Sequence, residues 1–255
     1  ILMVAFLLAV ALASAAQKTY KYNPAEFDYR RAKELYDKGL YASAQREFFD
    51  IMRDNGPENA EYRDNAAFYF AMCSMHLFNK DTEYQLNNYA KNHAESGNIN
   101  EANFGMANVY YREKKYKNAL AWYKLVDRTE LDSASQAEYY FKIGYCYYSR
   151  KEFDNAAKSF YETKDRDDLY GIMSLYFYSH IKYTNEQYQT ALNGFLKLKD
   201  NPTFASIVPF YILQIYYMQT DYQAVVDYAN ESGEELVGAA PENAKIVGIS
   251  YMRTK

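Results

Sequence analysis

The chain has 255 residues, of which 24 % are charged and 49 % are hydrophobic, so it can bury a core and is neither disordered nor collagen-like. Its formal net charge of −4 at pH 7 contains no basic excess of the kind that favours nucleic acid. Ten glycines and five prolines are too few for a many-stranded β protein, and two cysteines are too few for a disulfide framework.

The chain begins with an apolar segment, residues 1–13, followed by small residues. As a helix this segment would span about 20 Å, less than the ~30 Å hydrocarbon core of a bilayer. Ala13-Ser14-Ala15 matches the small-residue pattern of a cleavage site. We therefore predict a signal peptide over residues 1–16, a linker over 17–24, and export to the bacterial periplasm or cell envelope. The alternative is an uncleaved N-terminal membrane anchor.

A repeated pattern follows, in which an alanine has an aromatic residue three positions before it and another four positions after it. Its clear copies are Tyr41-Ala44-Phe48, Tyr116-Ala119-Tyr123, Phe153-Ala156-Phe160 and Tyr188-Ala191-Phe195. Ala224 aligns as a shifted fifth copy, and the gap between Ala44 and Ala119 has room for one degenerate copy. A period near 35 residues predicts a solenoid.

Each copy also has a first half, marked by a small residue twelve positions before the alanine. The clear copies have Ala32, Ala107, Gly144 and Ser179 there. Apolar residues around these positions recur at helical spacing, and a short polar segment separates the two halves. Each copy is therefore predicted to be a helix-turn-helix unit, whose small residues let the two helices approach closely.

The spacing Tyr140-x2-Ile143-Gly144-x2-Tyr147-Tyr148-x4-Phe153-x2-Ala156-x3-Phe160 resembles the tetratricopeptide repeat (TPR). The resemblance covers residues 25–255 and implies an all-α superhelix, a TPR-like solenoid of about six repeats and a partial seventh at residues 241–255. It is least complete over residues 64–98, and Ile212 replaces the small residue of the sixth copy. Because the seventh copy lacks its second helix, we expect the natural protein to continue beyond Lys255.

No motif for catalysis or cofactor binding stands out. His76, His93 and His180 are not at metal-ligand spacing, and the glycine-rich phosphate loops and the serine-hydrolase motif are missing from the sequence. We predict no catalytic residue, no cofactor and no metal. Cys73 and Cys146 occupy equivalent places two copies apart, so both are expected to be reduced and buried.

A second set of aromatic residues is offset by about one residue from the packing positions. It therefore lies on an adjacent face of each first helix. It comprises Tyr29, Tyr36, Phe104, Tyr111, Phe141, Tyr145, Tyr148, Tyr176 and Tyr183. The resemblance implies that this face lines a concave groove that binds peptides, and tyrosine suits an interface. The alternative is that these rings only pack against the first helix of the next unit.

The predicted function is a non-enzymatic protein–protein interaction scaffold of the bacterial cell envelope. Its expected partner is a peptide or protein held on the concave face, not a nucleic acid; association with the outer or inner membrane surface and self-association stay open. The alternatives are a glycan-binding outer-membrane component or the N-terminal repeat region of a larger multidomain protein.

Overall fold

The computed structural model describes residues 23–254, so the predicted signal peptide lies outside the described residues. Within this range every regular element is helical, with thirteen α-helices and two short 3-10 turns. None of these helices is both long and apolar enough to cross a bilayer. The chain divides into two compact units, an N-terminal unit that ends at Ala102 and a C-terminal unit that begins at Asn103.

The N-terminal unit contains four complete helices and the start of a fifth. They are α1 (Pro24–Asp37), α2 (Tyr41–Arg53), α3 (Arg63–His76), α4 (Thr82–Asn92) and α5 (Ile99–Arg112), with a 3-10 turn at Pro57–Asn59. Consecutive helices pack against each other, α1 on α2, α2 on α3, and α3 on α4. The predicted helix-turn-helix pairing is confirmed here, including the pair α3–α4 in which the sequence pattern is weakest.

The C-terminal unit continues from α5 through eight further helices. They are α6 (Tyr116–Tyr123), α7 (Ser133–Ser149), α8 (Phe153–Tyr161), α9 (Leu169–Thr184), α10 (Tyr188–Leu198), α11 (Val208–Met218), α12 (Tyr222–Gly238) and α13 (Pro241–Arg253). A 3-10 turn at Arg128–Glu130 precedes α7, and non-helical angles at Gly233 break α12. Helices α7 to α13 each pack on the next one along the chain, which confirms the predicted all-α helical-repeat fold.

Small residues form the seam inside the four hairpins that show the clear repeat pattern, α1–α2, α5–α6, α7–α8 and α9–α10, as that pattern predicts. Ala32, Ala44, Ala107, Ala119, Ala156, Ser179 and Ala191 are all 0 % exposed. At Gly144 a Cβ atom would lie 2.9 Å from the ring of Phe160, closer than carbon atoms normally approach. A larger side chain at these seams would therefore push the two helices apart.

The same turn joins the two helices of six hairpins, although only one of these turns contains glycine. A residue with positive φ lies at each turn: Gly39, Phe78, Lys114, Lys151, Glu186 and Thr220. The next backbone N–H bonds to a carbonyl five residues earlier, as from Glu152 to Tyr147 at 2.9 Å and from Asn79 to Ser74 at 3.0 Å. This hydrogen-bond pattern is the Schellman motif, which satisfies carbonyl groups at the end of the first helix.

The position of the turn shows that the sequence alignment of the sixth hairpin is displaced by one residue. Val225 follows the turn residue Thr220 by five positions, as Ala191 follows Glu186, and Val225 is 0 % exposed. Ala224, which the sequence aligned there, is half-buried and donates its N–H to Asp221. The alignment on Ala224 was wrong because the turn, rather than the nearest alanine, sets the register; Leu213 accordingly takes the small-residue position that was assigned to Ile212.

Both cysteines are free and buried, as predicted, one in each unit. Burial raises the pKa of the Cys73 thiol to about 12 and that of the Cys146 thiol to about 12. Neither side chain is therefore a thiolate at neutral pH, and both act as small apolar residues in the core.

Candidate functional site

Each of the three histidines contacts a different residue of the chain. His76 Nε2 lies 3.2 Å from the hydroxyl of Tyr36, and His180 Nδ1 lies 3.1 Å from the hydroxyl of Tyr148. Among residues 23–254, no cluster of three or more histidine, cysteine, aspartate or glutamate side chains could hold a metal ion.

One cluster in the N-terminal unit contains the three residue types of a serine-hydrolase triad, but in the wrong order. Asp64 lies between the other two: its Oδ1 is 2.5 Å from His93 Nδ1, and its Oδ2 accepts a 2.7 Å hydrogen bond from Ser96 Oγ. In a working triad the serine hydroxyl gives its proton to the histidine, which the carboxylate orients from behind. Here the serine hydroxyl donates to the carboxylate, so the cluster ties the segment after α4 to the start of α3.

The predicted aromatic set occupies equivalent positions in the repeated hairpins, ten and three residues before the positive-φ turn residue. The pairs are Tyr29 and Tyr36, Phe104 and Tyr111, Phe141 and Tyr148, and Tyr176 and Tyr183, with Tyr145 six residues before its turn. Each pair therefore lies on one face of the first helix of its hairpin. We call this surface the tyrosine face and describe it separately in each unit.

In the N-terminal unit, both residues of the tyrosine face contact several other rings. Tyr29 stacks on Tyr62 with ring centroids 5.1 Å apart, and Tyr36 meets Tyr69 edge-on at 5.0 Å. Burial, the largest cause, raises the pKa of Tyr29 to about 12 and also raises the pKa of Tyr36. Both phenols are consequently neutral hydrogen-bonding groups at any physiological pH.

In the C-terminal unit, the two phenylalanines of the tyrosine face are buried. Phe104 is 8 % exposed and Phe141 is 4 % exposed. The ring of Phe141 lies 5.6 Å from that of Tyr170 and 6.2 Å from that of Phe177, both on α9. Phe104 and Phe141 therefore lie beneath the exposed surface of the tyrosine face and offer a partner little contact area.

The tyrosines of the same unit are half-buried and form a continuous series of ring contacts. Tyr145 lies edge-on to Tyr111 at 5.9 Å and to Phe177 at 5.3 Å. Tyr176 stacks on Phe204 at 4.4 Å, and the hydroxyl of Tyr183 donates to Gln214 Oε1 at 2.6 Å. These rings pack against the following hairpin, as the packing interpretation requires, while each keeps part of its surface exposed.

Sequence reasoning missed a ring that contacts this face. Tyr211 on α11 stacks on Phe195 at 4.9 Å and lies edge-on to Tyr183 at 5.2 Å and to His180 at 5.6 Å. It is the equivalent of Phe177, since both precede their turn residue by nine positions. A correct register for the sixth hairpin would have placed Phe210 and Tyr217 at the two positions of the tyrosine face, ten and three residues before Thr220, with Tyr211 next to Phe210.

Sequence reasoning also missed a polar network beside the rings. Lys142 Nζ donates to Glu138 Oε1 at 2.5 Å and to Asn108 Oδ1 at 3.1 Å, and lies 5.3 Å from the ring centroid of Tyr111. Asn108 also donates to Glu138 and accepts a 2.7 Å hydrogen bond from the hydroxyl of Tyr123. The i,i+4 spacing of Glu138 and Lys142 on α7 is the only part of this network that a sequence displays.

Lys142, Glu138 and His180, which lie beside the rings, together carry no net charge at pH 7. Lys142 and Glu138 neutralise each other, and burial lowers the pKa of His180 below its usual value of 6.5, so its imidazole is neutral at pH 7. The C-terminal tyrosine face therefore presents aromatic surface, hydroxyl groups and one internally paired ion pair.

No family model and no curated protein matches this chain. Among solved structures, the apo form of RapI matches with a TM-score of 0.50, over 90 % of this chain and 71 % of that chain. The chain is a helical-repeat protein. Because the two sequences are only 11 % identical, the likeness to RapI shows the fold and nothing more.

Proposed function

We propose that this chain is a non-enzymatic interaction scaffold of the TPR type, which binds a peptide or protein partner on the tyrosine face of its C-terminal unit. The observation that carries the proposal is the continuous run of half-buried tyrosine rings on one face of successive first helices. Export to the bacterial cell envelope is part of the proposal and rests on the sequence alone, on the apolar start and Ala13-Ser14-Ala15.

Preorganisation is the first argument for binding on this face. Each ring is already fixed by its neighbours, as Tyr148 is by Phe177 at 5.0 Å and by its hydroxyl contact with His180. A partner would therefore not have to immobilise these side chains, which removes an entropic cost of roughly 0.5–1.5 kcal/mol for each one. Tyrosine also offers apolar area and a hydrogen-bonding tip in the same side chain.

Electrostatic balance is the second argument, and it narrows the class of partner. The ion pair on this face, Glu138 with Lys142, is internal and gives no net attraction to a strongly acidic or a strongly basic segment. It suits a segment whose anchors are apolar or aromatic side chains and whose backbone amides meet the tyrosine hydroxyls. We therefore propose an uncharged, aromatic or aliphatic peptide segment as the partner.

Site-specific photo-crosslinking tests the proposal in cells that express the chain. Replacing Tyr145 by p-benzoylphenylalanine keeps an aromatic group on the face and should yield one discrete protein adduct on irradiation. The control places the same residue at Tyr84 on α4, which is 67 % exposed and lies off the face. Equal labelling from both positions, or no adduct from position 145, would contradict the proposal.

The adduct then supplies the partner for a binding measurement. Tyr111→Ala combined with Tyr148→Ala should weaken affinity for the purified partner about tenfold or more, because two anchoring rings are lost. Tyr148→Phe, which keeps the ring and removes the hydroxyl, is the matched control for folding. Loss of helical circular dichroism in parallel with loss of binding would favour a purely structural role for these rings.

A further inference from the structure

A separate cleft of about 230 Å³ lies in the C-terminal unit, between the end of α8 and the helices α9 and α10. The rings of Tyr161 and Tyr178 line it with their centroids 5.9 Å apart, together with the side chain of Leu175. Lys164, Asp165 and Lys197 complete the lining with Thr190, Asn193, Ser179 and Gly194. None of its lining residues belongs to the tyrosine face.

Ser179 is the lining residue that calls for an explanation. Its side chain is 0 % exposed, and its hydroxyl has no hydrogen-bond partner. An unpaired buried hydroxyl lowers stability, so a residue that served only for packing would be better as alanine. The equivalent positions of the other five hairpins are indeed apolar: Ala32, Ala71, Ala107, Gly144 and Leu213.

Gly194 preserves the place of this hydroxyl. A Cβ atom at position 194 would lie 1.9 Å from Ser179 Oγ, so any side chain there would displace the hydroxyl or the helix. The two residues line the cleft together, and the Ser179 hydroxyl is an uncommitted donor and acceptor in its wall.

The charges of the cleft favour an anion. Lys164 is only 16 % exposed, lies 4.6 Å from the ring centroid of Tyr161, and pairs with Asp165. Lys197, 66 % exposed, lies 3.9 Å from the same carboxylate. The hydrogen bond from Lys164 lowers the pKa of Asp165, which is therefore ionised at neutral pH. Two ammonium groups face one carboxylate, so the cleft carries a net positive charge.

The size of the cleft limits the ligand. Its 230 Å³ is below the roughly 300 Å³ at which pockets for drug-sized molecules begin. Two tyrosine rings and Leu175 provide apolar walls for a compact body. We propose that this cleft binds a small aromatic carboxylate, with its carboxylate at Lys164 and Lys197 and a polar group at its far end bonded to the hydroxyl of Ser179.

A titration of the full chain followed by nuclear magnetic resonance tests this proposal with three matched probes. 4-Hydroxybenzoate has both polar groups, benzoate lacks the far hydroxyl, and 4-hydroxybenzamide lacks the charge. We expect saturable binding of 4-hydroxybenzoate, several-fold weaker binding of benzoate, and the weakest binding of the amide. Absence of saturation with 4-hydroxybenzoate, or equal affinity for the amide, would overturn the proposal.

Three variants locate the binding and separate it from folding. Ser179→Ala should weaken 4-hydroxybenzoate about five- to tenfold, leave benzoate unchanged, and leave the melting temperature equal or higher. Lys197→Gln should weaken both carboxylates, whereas Lys158→Gln, at an exposed lysine of α8 outside the lining, should weaken neither. Equal affinity for 4-hydroxybenzoate in wild type and Ser179→Ala would exclude the proposed contact, because the folded state of that variant is verified independently.

Discussion

The hairpins α3–α4 and α9–α10 share the same turn but close their helices in different ways. In α9–α10 the contact is made by small residues, Ser179 against Gly194 with Ala191 one turn away, and the helices approach until only glycine fits. In α3–α4 the first helix keeps its alanine, Ala71, but the second helix buries Leu86 and Thr82.

Side-chain hydrogen bonds help to hold α3 and α4 together. The Thr82 hydroxyl lies 2.8 Å from the carbonyl of Ser74, while Gln45 on α2 donates to the Ser74 hydroxyl at 2.6 Å. Tyr89 donates to Ser96, which in turn donates to Asp64. A repeat can therefore keep its backbone conformation when side-chain hydrogen bonds replace the close packing of small residues. We expect the two hairpins to be destabilised by different substitutions.

The largest effect is expected at the seam of α9–α10. Gly194→Ala should lower the free energy of unfolding by about 2–3 kcal/mol, because the new Cβ atom overlaps the Ser179 hydroxyl. Thermal unfolding monitored by calorimetry measures this change. Gly248→Ala on α13 is the control, since a Cβ atom there meets nothing within 4 Å, and it should be neutral or stabilising by up to about 1 kcal/mol. Equal losses in both variants would refute close approach as the reason for Gly194.

A smaller effect is expected for the side-chain hydrogen bonds of α3–α4. Thr82→Val keeps the side-chain shape, removes the hydroxyl next to the Ser74 carbonyl, and should cost about 1 kcal/mol. Amide hydrogen exchange should become faster in α3 and α4 while α9 and α10 stay unchanged, because each hairpin depends mainly on its neighbours. Thr190→Val, at an exposed threonine of α10, should leave exchange unaltered. Uniformly faster exchange along the chain would argue against local closure.

The smallest effect is expected where the two hairpins are alike. Phe78→Gly and Glu186→Gly should each stabilise by about 0.5–1 kcal/mol, because both residues hold positive φ at a cost that glycine avoids. Gly39→Ala should destabilise by a similar amount for the same reason. Denaturant midpoints measure all three. A gain in one hairpin without the other would show that the two turns are not energetically equivalent.

Much of the fold is visible in the sequence because close packing leaves a periodic trace. The spacing of Ala44, Ala119, Ala156 and Ala191 predicts the paired helices, and all four are fully buried. The side-chain hydrogen bonds of α3–α4 produce no periodic pattern in the sequence, because Thr82, Ser96 and Asp64 have no equivalents in other copies. The positive-φ turns were also hidden, because five of the six lack glycine; the misplaced register at Ala224 follows from that.

The tyrosine face could be predicted only in part. Seven-residue spacing identifies which rings share a face of their helix, and the structure places all of them there. The spacing does not show how deeply each ring is buried, because burial depends on side chains of the next hairpin. Tyr170 and Phe177, for example, cover Phe141. Whether the exposed remainder binds a partner stays a prediction.

The nearest-neighbour packing of these hairpins has a consequence for how the chain acquires its structure. Side-chain hydrogen bonds between neighbouring helices connect residues close in sequence, for example 8 positions apart for Thr82 and Ser74, 15 for Tyr123 and Asn108, and 40 for Tyr36 and His76. Low contact order of this kind favours rapid folding, because little loop-closure entropy is lost before native contacts form. Each hairpin can thus take shape during synthesis, before the residues that follow it have been added.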